Sequence, residues 1–277
     1  MSKKIQINRE IIETNLNSLV DRILALDEIE CVKIRDIEIR ENHNKVLRVR
    51  EAMDECFHDC YSDVDLSIIV NLSKNGKVSP DEYMKHIERF GIYQNELLGI
   101  CFIEEKNLYR IILKNGMRYD FGFEFNVLED ANPIDIELCE DVENNPHWSW
   151  DNINRFWFIQ IQALGKLYRK DFLISCHLAN SNVNETLVQQ MVLRDMEYKT
   201  NHHRYGYCEA LEYAKYLNQC PFSIGNPTFD YIADRLYACA LAYDELAKCF
   251  YPNYKDRSED FFSIWECYRE NNYLYEK

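Results

Sequence analysis

SDVDLSIIV, residues Ser62 to Val70, reads as a β-strand that carries two carboxylates at the head of an aliphatic run. Alternate side chains of a strand share a face, so Asp63 and Asp65 point the same way, about 7 Å apart along the chain. Leu66, Ile68, Ile69 and Val70 anchor the strand and leave the acids near its start, within reach of solvent and substrate. An isolated D-x-D is more often a solvated strand end than a site. Its chemistry therefore depends on a third group.

That group is found about fifty residues on. In LYRIILKNGMRYDFGFEFNVL two β-type runs flank Asn115-Gly116, a strong hairpin signal. Alternation along the second run sets Tyr119, Phe121, Phe123 and Phe125 on one face and Asp120, Gly122 and Glu124 on the other. If this run lies beside the SDVDL strand, Asp63, Asp65 and Asp120 make an oxygen-rich site of the kind Mg²⁺ accepts, with substrate phosphates completing its shell.

In pattern, order and spacing, YSDVDLSIIV and RYDFGFEF resemble the nucleotidyltransferases of the DNA polymerase β superfamily. These carry D-x-D on one strand and a third Asp on a neighbouring one. The length, the helical second half and FWFIQIQALGKLYRKDFLISCHL are similar to the antibiotic adenylyltransferases, most of all the aminoglycoside (streptomycin) 6-adenylyltransferase type. The resemblance implies an enzyme that moves AMP from ATP, or another nucleoside monophosphate, onto a hydroxyl of a small cationic acceptor such as an aminoglycoside, an antibiotic-resistance activity. It implies Mg²⁺ held by Asp63, Asp65 and Asp120, and nucleotide held by Ser62, Lys166 and Arg169. One family motif is missing. No glycine precedes Gly76, so the Gly-Ser turn that cradles the triphosphate is absent, and Val49, Arg50, Glu51 and Ala52 stand roughly where it is expected. Side chains there obstruct close approach of phosphate to the backbone, which predicts weak nucleotide affinity, with Arg50 a partial substitute. A rival reading is a degenerate member that binds a nucleotide or a partner protein without turnover.

The composition fits a small cationic acceptor better than nucleic acid. With 32 basic and 47 acidic residues the chain carries a formal net charge of −15, a poor electrostatic match to DNA or RNA phosphates. MSKKIQINREII lacks an apolar signal-peptide core, and no uncharged apolar run approaches the length of a membrane span. The eleven cysteines follow no disulfide-framework spacing. These features predict a cytoplasmic protein with no membrane association, as monomer or homodimer. Cys56, His58 and Cys60 lack the second half of a zinc pattern.

The expected fold class is α+β: a nucleotidyltransferase-type mixed sheet with flanking helices over residues 1–145, then a helical substrate-binding domain over 146–277. Ile11, Ile12, Leu16, Leu19, Val20, Ile23 and Leu24 form a helical stripe, whereas CVKIRDIEIR and KVLRVREAM both alternate as strands. Ser79-Pro80-Asp81-Glu82 opens a helix running to about Phe90. The acidic, proline-bearing ANPIDIELCEDVENNPHW reads as a linker. Beyond it the period predicts helices near 151–170, 171–180, 184–199, 206–218, 228–250 and 258–271. Trp148 and Trp150 fall where the halves meet, and His202 and His203 read as a surface turn.

Overall fold

The chain is α+β; among the described residues the strands lie in the first half and helices in both. In the computed structural model the described residues are 5, 7–56, 61, 63–71, 80–103, 106, 108–126, 150–198 and 227–275. They belong to two compact units, divided between Asp141 and Val142.

The first unit is built on a six-stranded sheet of order β2-β1-β3-β6-β5-β4. Its strands are β1 (Ile29–Ile34), β2 (Ile37–Ile39), β3 (Val64–Asn71), β4 (Leu97–Ile103), β5 (Leu108–Leu113) and β6 (Arg118–Asn126). Only the central β3/β6 pair is parallel; every other pairing is antiparallel. The Asn115-Gly116 turn forms as expected: Gly116 takes φ 86°, which glycine adopts without steric cost, and Asn115 Oδ1 accepts from the Met117 amide at 3.0 Å.

Alternation then sorts the faces. Val64, Leu66, Ile68 and Val70 of β3 and Tyr119, Phe121 and Phe123 of β6 are buried. On this face Tyr83 of α3 (Pro80–Lys85) stacks on Phe123 at 5.5 Å, and Phe90 stacks on Phe121 at 6.0 Å. Helix α1 (Arg9–Leu24) buries the expected stripe apart from half-buried Ile11, and Asn8 caps it by accepting from the Ile11 amide at 2.9 Å. Asp65, Ser67, Asp120 and Gly122 lie on the other, polar face.

Three expectations for the first unit are corrected. KVLRVREAM is not a strand but helix α2 (Lys45–Cys56). Asn44 Oδ1 accepts from the Leu47 amide at 3.2 Å to start it, and the buried residues Val49, Ala52 and Met53 share one helical face while Val46 and Leu47 are exposed. CVKIRDIEIR is not one strand but the β1/β2 hairpin, turning at Arg35, whose φ of 51° is left-handed. The helix expected to reach Phe90 stops at Lys85 and gives way to a 3₁₀ turn, Ile87–Phe90. Strand β4 went unread between these features.

In the second unit the described residues are α4 (Trp150–Tyr168), α5 (Phe172–Tyr198), α6 (Phe229–Phe250) and α7 (Ser258–Tyr275), with no strand among them. The two helices expected at 171–180 and 184–199 are one continuous α5. Asn180, Ser181 and Asn182 are weak helix formers, but tertiary partners of the two asparagines offset this, while Ser181 bonds back within the helix. Asn182 Nδ2 donates to Gln160 Oε1 at 2.9 Å, Asn180 Oδ1 accepts from Arg235 at 3.1 Å, and Ser181 Oγ donates to the His177 carbonyl at 3.0 Å. The core joins α4 to α6, where Phe156 and Tyr243 stack and Trp157 meets both edge-on. The expected helix at 206–218, the linker, Trp148, His202, His203 and the cluster Cys56, His58 and Cys60 lie outside what the structure describes, wholly or in their side chains.

Candidate functional site

The polar face of the sheet gathers acids and arginines from three neighbouring strands. Parallel pairing of β3 and β6 sets Asp65 directly against Asp120, and Asp63 lies two residues before Asp65 on the same side. Across the hairpin, antiparallel pairing sets Arg110 of β5 against Asp120. Asp65 is exposed, whereas Asp120 is buried.

Guanidinium groups hold two of the three acids. Arg110 Nε donates to Asp120 Oδ2 at 2.8 Å, and its Nη2 donates to Asp63 Oδ2, also at 2.8 Å. Arg118 Nη2 lies 2.6 Å from Asp63 Oδ1. That contact is outside hydrogen-bonding geometry, so the buried Asp63 Oδ1 accepts no directed bond. The other Arg118 nitrogen, Nη1, donates to the Tyr61 carbonyl at 3.0 Å and fixes the segment leading into β3. Arginine spans the two carboxylates from separate nitrogens of one planar fork, whereas a lysine would have to serve both from a single nitrogen.

The electrostatics follow from crowding. Burial pushes the Asp120 carboxyl up to about 6, and the charges of Asp63 and Asp65 push the same way against the opposing Arg110. Asp65, although exposed, is also raised, by partial loss of water around its carboxyl and then by the Asp63 charge, while Arg35 and Arg110 oppose the shift. Burial works against the Arg110 charge, yet the hydrogen bond and charge of Asp120 with the charge of Asp63 raise its pKa overall.

The hard oxygen donors Asp63, Asp65 and Asp120 are the type that Mg²⁺ takes, although Asp63 Oδ1, which accepts no hydrogen bond, faces the Arg118 guanidinium. The arrangement is another matter. Among the described residues no group of three or more His, Cys, Asp and Glu side chains is set to hold a metal ion, and Arg110 bridges Asp63 and Asp120. Donor chemistry fits a divalent cation; occupancy by all three acids requires Arg110 to leave.

Other expected site residues have separate surroundings. Lys166 and Arg169 belong to the helical unit. Lys166 pairs with Asp171 at 3.7 Å, at a helix end closed by Lys170 in left-handed conformation (φ 62°). The Lys170 amide donates to the Leu167 carbonyl and the Asp171 amide to the Lys166 carbonyl, both at 3.0 Å, so Lys166 lies within a Schellman cap. Ser62 is outside the described residues. Val49, Arg50, Glu51 and Ala52 do not form a turn beside the acids: they lie within α2, where Arg50 pairs with Glu13 at 3.0 Å and Glu51 with Arg48 at 3.0 Å. Arg50 is therefore engaged away from the phosphate role suggested for it.

Sequence reasoning missed Arg35, Arg110 and Arg118. Two of them carried a signal: Arg118 shares the face of Asp120 by alternation, and folding the two runs back at Asn115-Gly116 brings Arg110 opposite Asp120. Neither a protein-family model nor a curated protein matches the sequence.

Proposed function

We propose that the chain is a nucleotidyltransferase that moves a nucleoside monophosphate, AMP from ATP in the simplest case, onto a hydroxyl of a small cationic acceptor such as an aminoglycoside. Its first unit would then have the nucleotidyltransferase fold. The observation that carries this reading is Asp65 beside Asp120 on adjacent parallel strands, with Asp63 on the same face. Clustered carboxylates repel one another, and while Arg110 and Arg118 offset Asp63 and Asp120, Asp65 has no guanidinium partner among the described residues, which favours a positive ligand beside it. Mg²⁺ entering with the nucleotide would be held by Asp63, Asp65 and Asp120, and would supply positive charge at the reacting phosphate. Arg110, already on the acid face and partly exposed, is suited to take phosphate oxygens. The net charge of −15 favours a cationic acceptor over nucleic acid. No helix among the described residues is long and apolar enough to cross a membrane.

A second reading, nucleotide or partner binding without turnover, is favoured by a specific observation: Arg110 and Arg118 already neutralise Asp63, and Arg110 neutralises Asp120. A turnover screen separates the two. Mg²⁺ and each nucleoside triphosphate are presented with aminoglycosides and lincosamides while pyrophosphate release is followed. Transfer from ATP to an aminoglycoside is expected, with Asp65→Asn losing at least about a hundredfold in kcat, the scale on which removing one electrostatic partner of the reaction acts. Calorimetric binding of nucleotide with no pyrophosphate from any acceptor would establish the second reading.

A further inference from the structure

We propose that Arg110 is a built-in competitor for divalent cations: its guanidinium and a cation use the same oxygens of Asp63 and Asp120, so cation binding requires Arg110 to be displaced. This rests on reading the three acids as a cation site, and it adds a control on that site which the resemblance does not supply.

The geometry carries the inference. One arginine bridges two acids through different nitrogens, Nε to Asp120 and Nη2 to Asp63, each at 2.8 Å and each to an Oδ2 atom. The guanidinium thus lies between the two carboxylates, the region a cation shared by them would enter. Asp65 has no such clamp and is exposed. A cation approaching the polar face first meets Asp65, then reaches Asp63 and Asp120 only by exchange with Arg110. Arg110 is itself only partly exposed, and its stem starts from a strand, so the exchange is a side-chain rotation without movement of the sheet. Arg118 does not act in the same way. It is almost fully buried and tied to the Tyr61 carbonyl, and so remains beside Asp63 when Arg110 departs.

The competition makes a prediction that general electrostatics does not. Removing any nearby positive charge raises cation affinity somewhat. Replacing Arg110 by lysine keeps the charge but removes the fork that spans two carboxylates. Direct competition therefore predicts tighter cation binding in Arg110→Lys, whereas a charge effect alone predicts none.

The test is Mn²⁺ binding to the intact chain in the absence of nucleotide, read by loss of the free-ion electron paramagnetic resonance signal. Wild type is compared with Arg110→Met, Arg110→Lys and Arg35→Met, the last removing a charge that acts on Asp65 without bridging two acids. Far-ultraviolet circular dichroism monitors the fold. The expected result is about tenfold or tighter binding in Arg110→Met, a several-fold gain in Arg110→Lys, and a smaller change in Arg35→Met. Tighter binding in Arg110→Met with none in Arg110→Lys would reduce the effect to charge and overturn the proposal, as would no gain in either. If Arg110→Met fails to fold, Arg110→Lys alone decides. Nucleotide takes no part in the measurement. Absence of turnover in the acceptor screen leaves this result standing, and failure here leaves nucleotidyl transfer open to its own test.

Discussion

Asp120 in the sheet and Asp244 in the helical unit are both buried, and burial raises the pKa of each, yet their partners differ in kind. Asp244 Oδ1 accepts from Tyr254 Oη at 2.7 Å and from the Arg257 amide at 3.1 Å, and its Oδ2 accepts from the Ser258 amide at 2.9 Å. Two of these donors are backbone groups at the start of α7, which no rotamer change can withdraw. Tyr254 Oη in turn accepts from Trp157 Nε1 at 2.9 Å, linking α4 into the same network. Asp120 is held instead by the side chain of Arg110, which also serves Asp63. A carboxylate satisfied by fixed amides is a structural joint. One satisfied by a side-chain guanidinium can exchange its partner for a ligand.

The largest expected effect tests the joint. Asp244→Ala leaves two backbone amides and a phenol without their acceptor in a buried site, so chemical denaturation should show a loss of about 3 kcal/mol. A loss below about 1 kcal/mol would show that water takes over those donors and would erase the contrast. Arg110→Met should cost less, about 1–2 kcal/mol, because its site is partly open to solvent and Asp120 can take up a proton when its partner is gone.

A pH effect sharpens the comparison further. The Asp244 carboxyl is raised in the fold above its ordinary value of 3.8, so between that value and the raised one the native state binds more protons than the unfolded chain. Its contribution therefore falls as pH rises through the window, opposite to a salt-bridged carboxylate. Wild type measured against Asp244→Asn from acid towards neutral pH should lose part of its relative stability. A difference that grows with pH would mean that the hydrogen bonds outweigh burial. The smallest stability effect belongs to Asp65→Asn, within about 0.5 kcal/mol, since the side chain is exposed and has no ion pair or hydrogen bond among the described residues. Thermal melting checks this, and a large drop would move Asp65 into the structural class.

Much of the sheet was legible in the sequence because period-two alternation is a local property of extended backbone. It set Asp63 and Asp65 on one side, and it set Phe121 and Phe123 opposite Asp120. The Asn115-Gly116 turn joins near neighbours, so the β5/β6 hairpin was readable too, and with it the Arg110–Asp120 pairing that went unused. Helical period likewise marked α4, α6 and α7.

Tertiary structure decided what local pattern leaves ambiguous. KVLRVREAM satisfies an alternating pattern as well as a helical one; the Asn44 cap and the burial of Val49, Ala52 and Met53 select the helix. The gap expected between helices at 181–183 does not form; bonds from Asn182 to Gln160 of α4 and from Arg235 of α6 to Asn180 help hold α5 continuous. The sequence by itself determined that three acids lie on strand faces, since side-chain direction follows from backbone geometry. That β3 lies beside β6, bringing Asp65 against Asp120, depends on closing a long stretch of chain and on the apolar face it buries. The clamp on Asp63 and Asp120 likewise exists only once β3, β5 and β6 share one sheet, because a guanidinium selects partners by distance in space and not by separation along the chain.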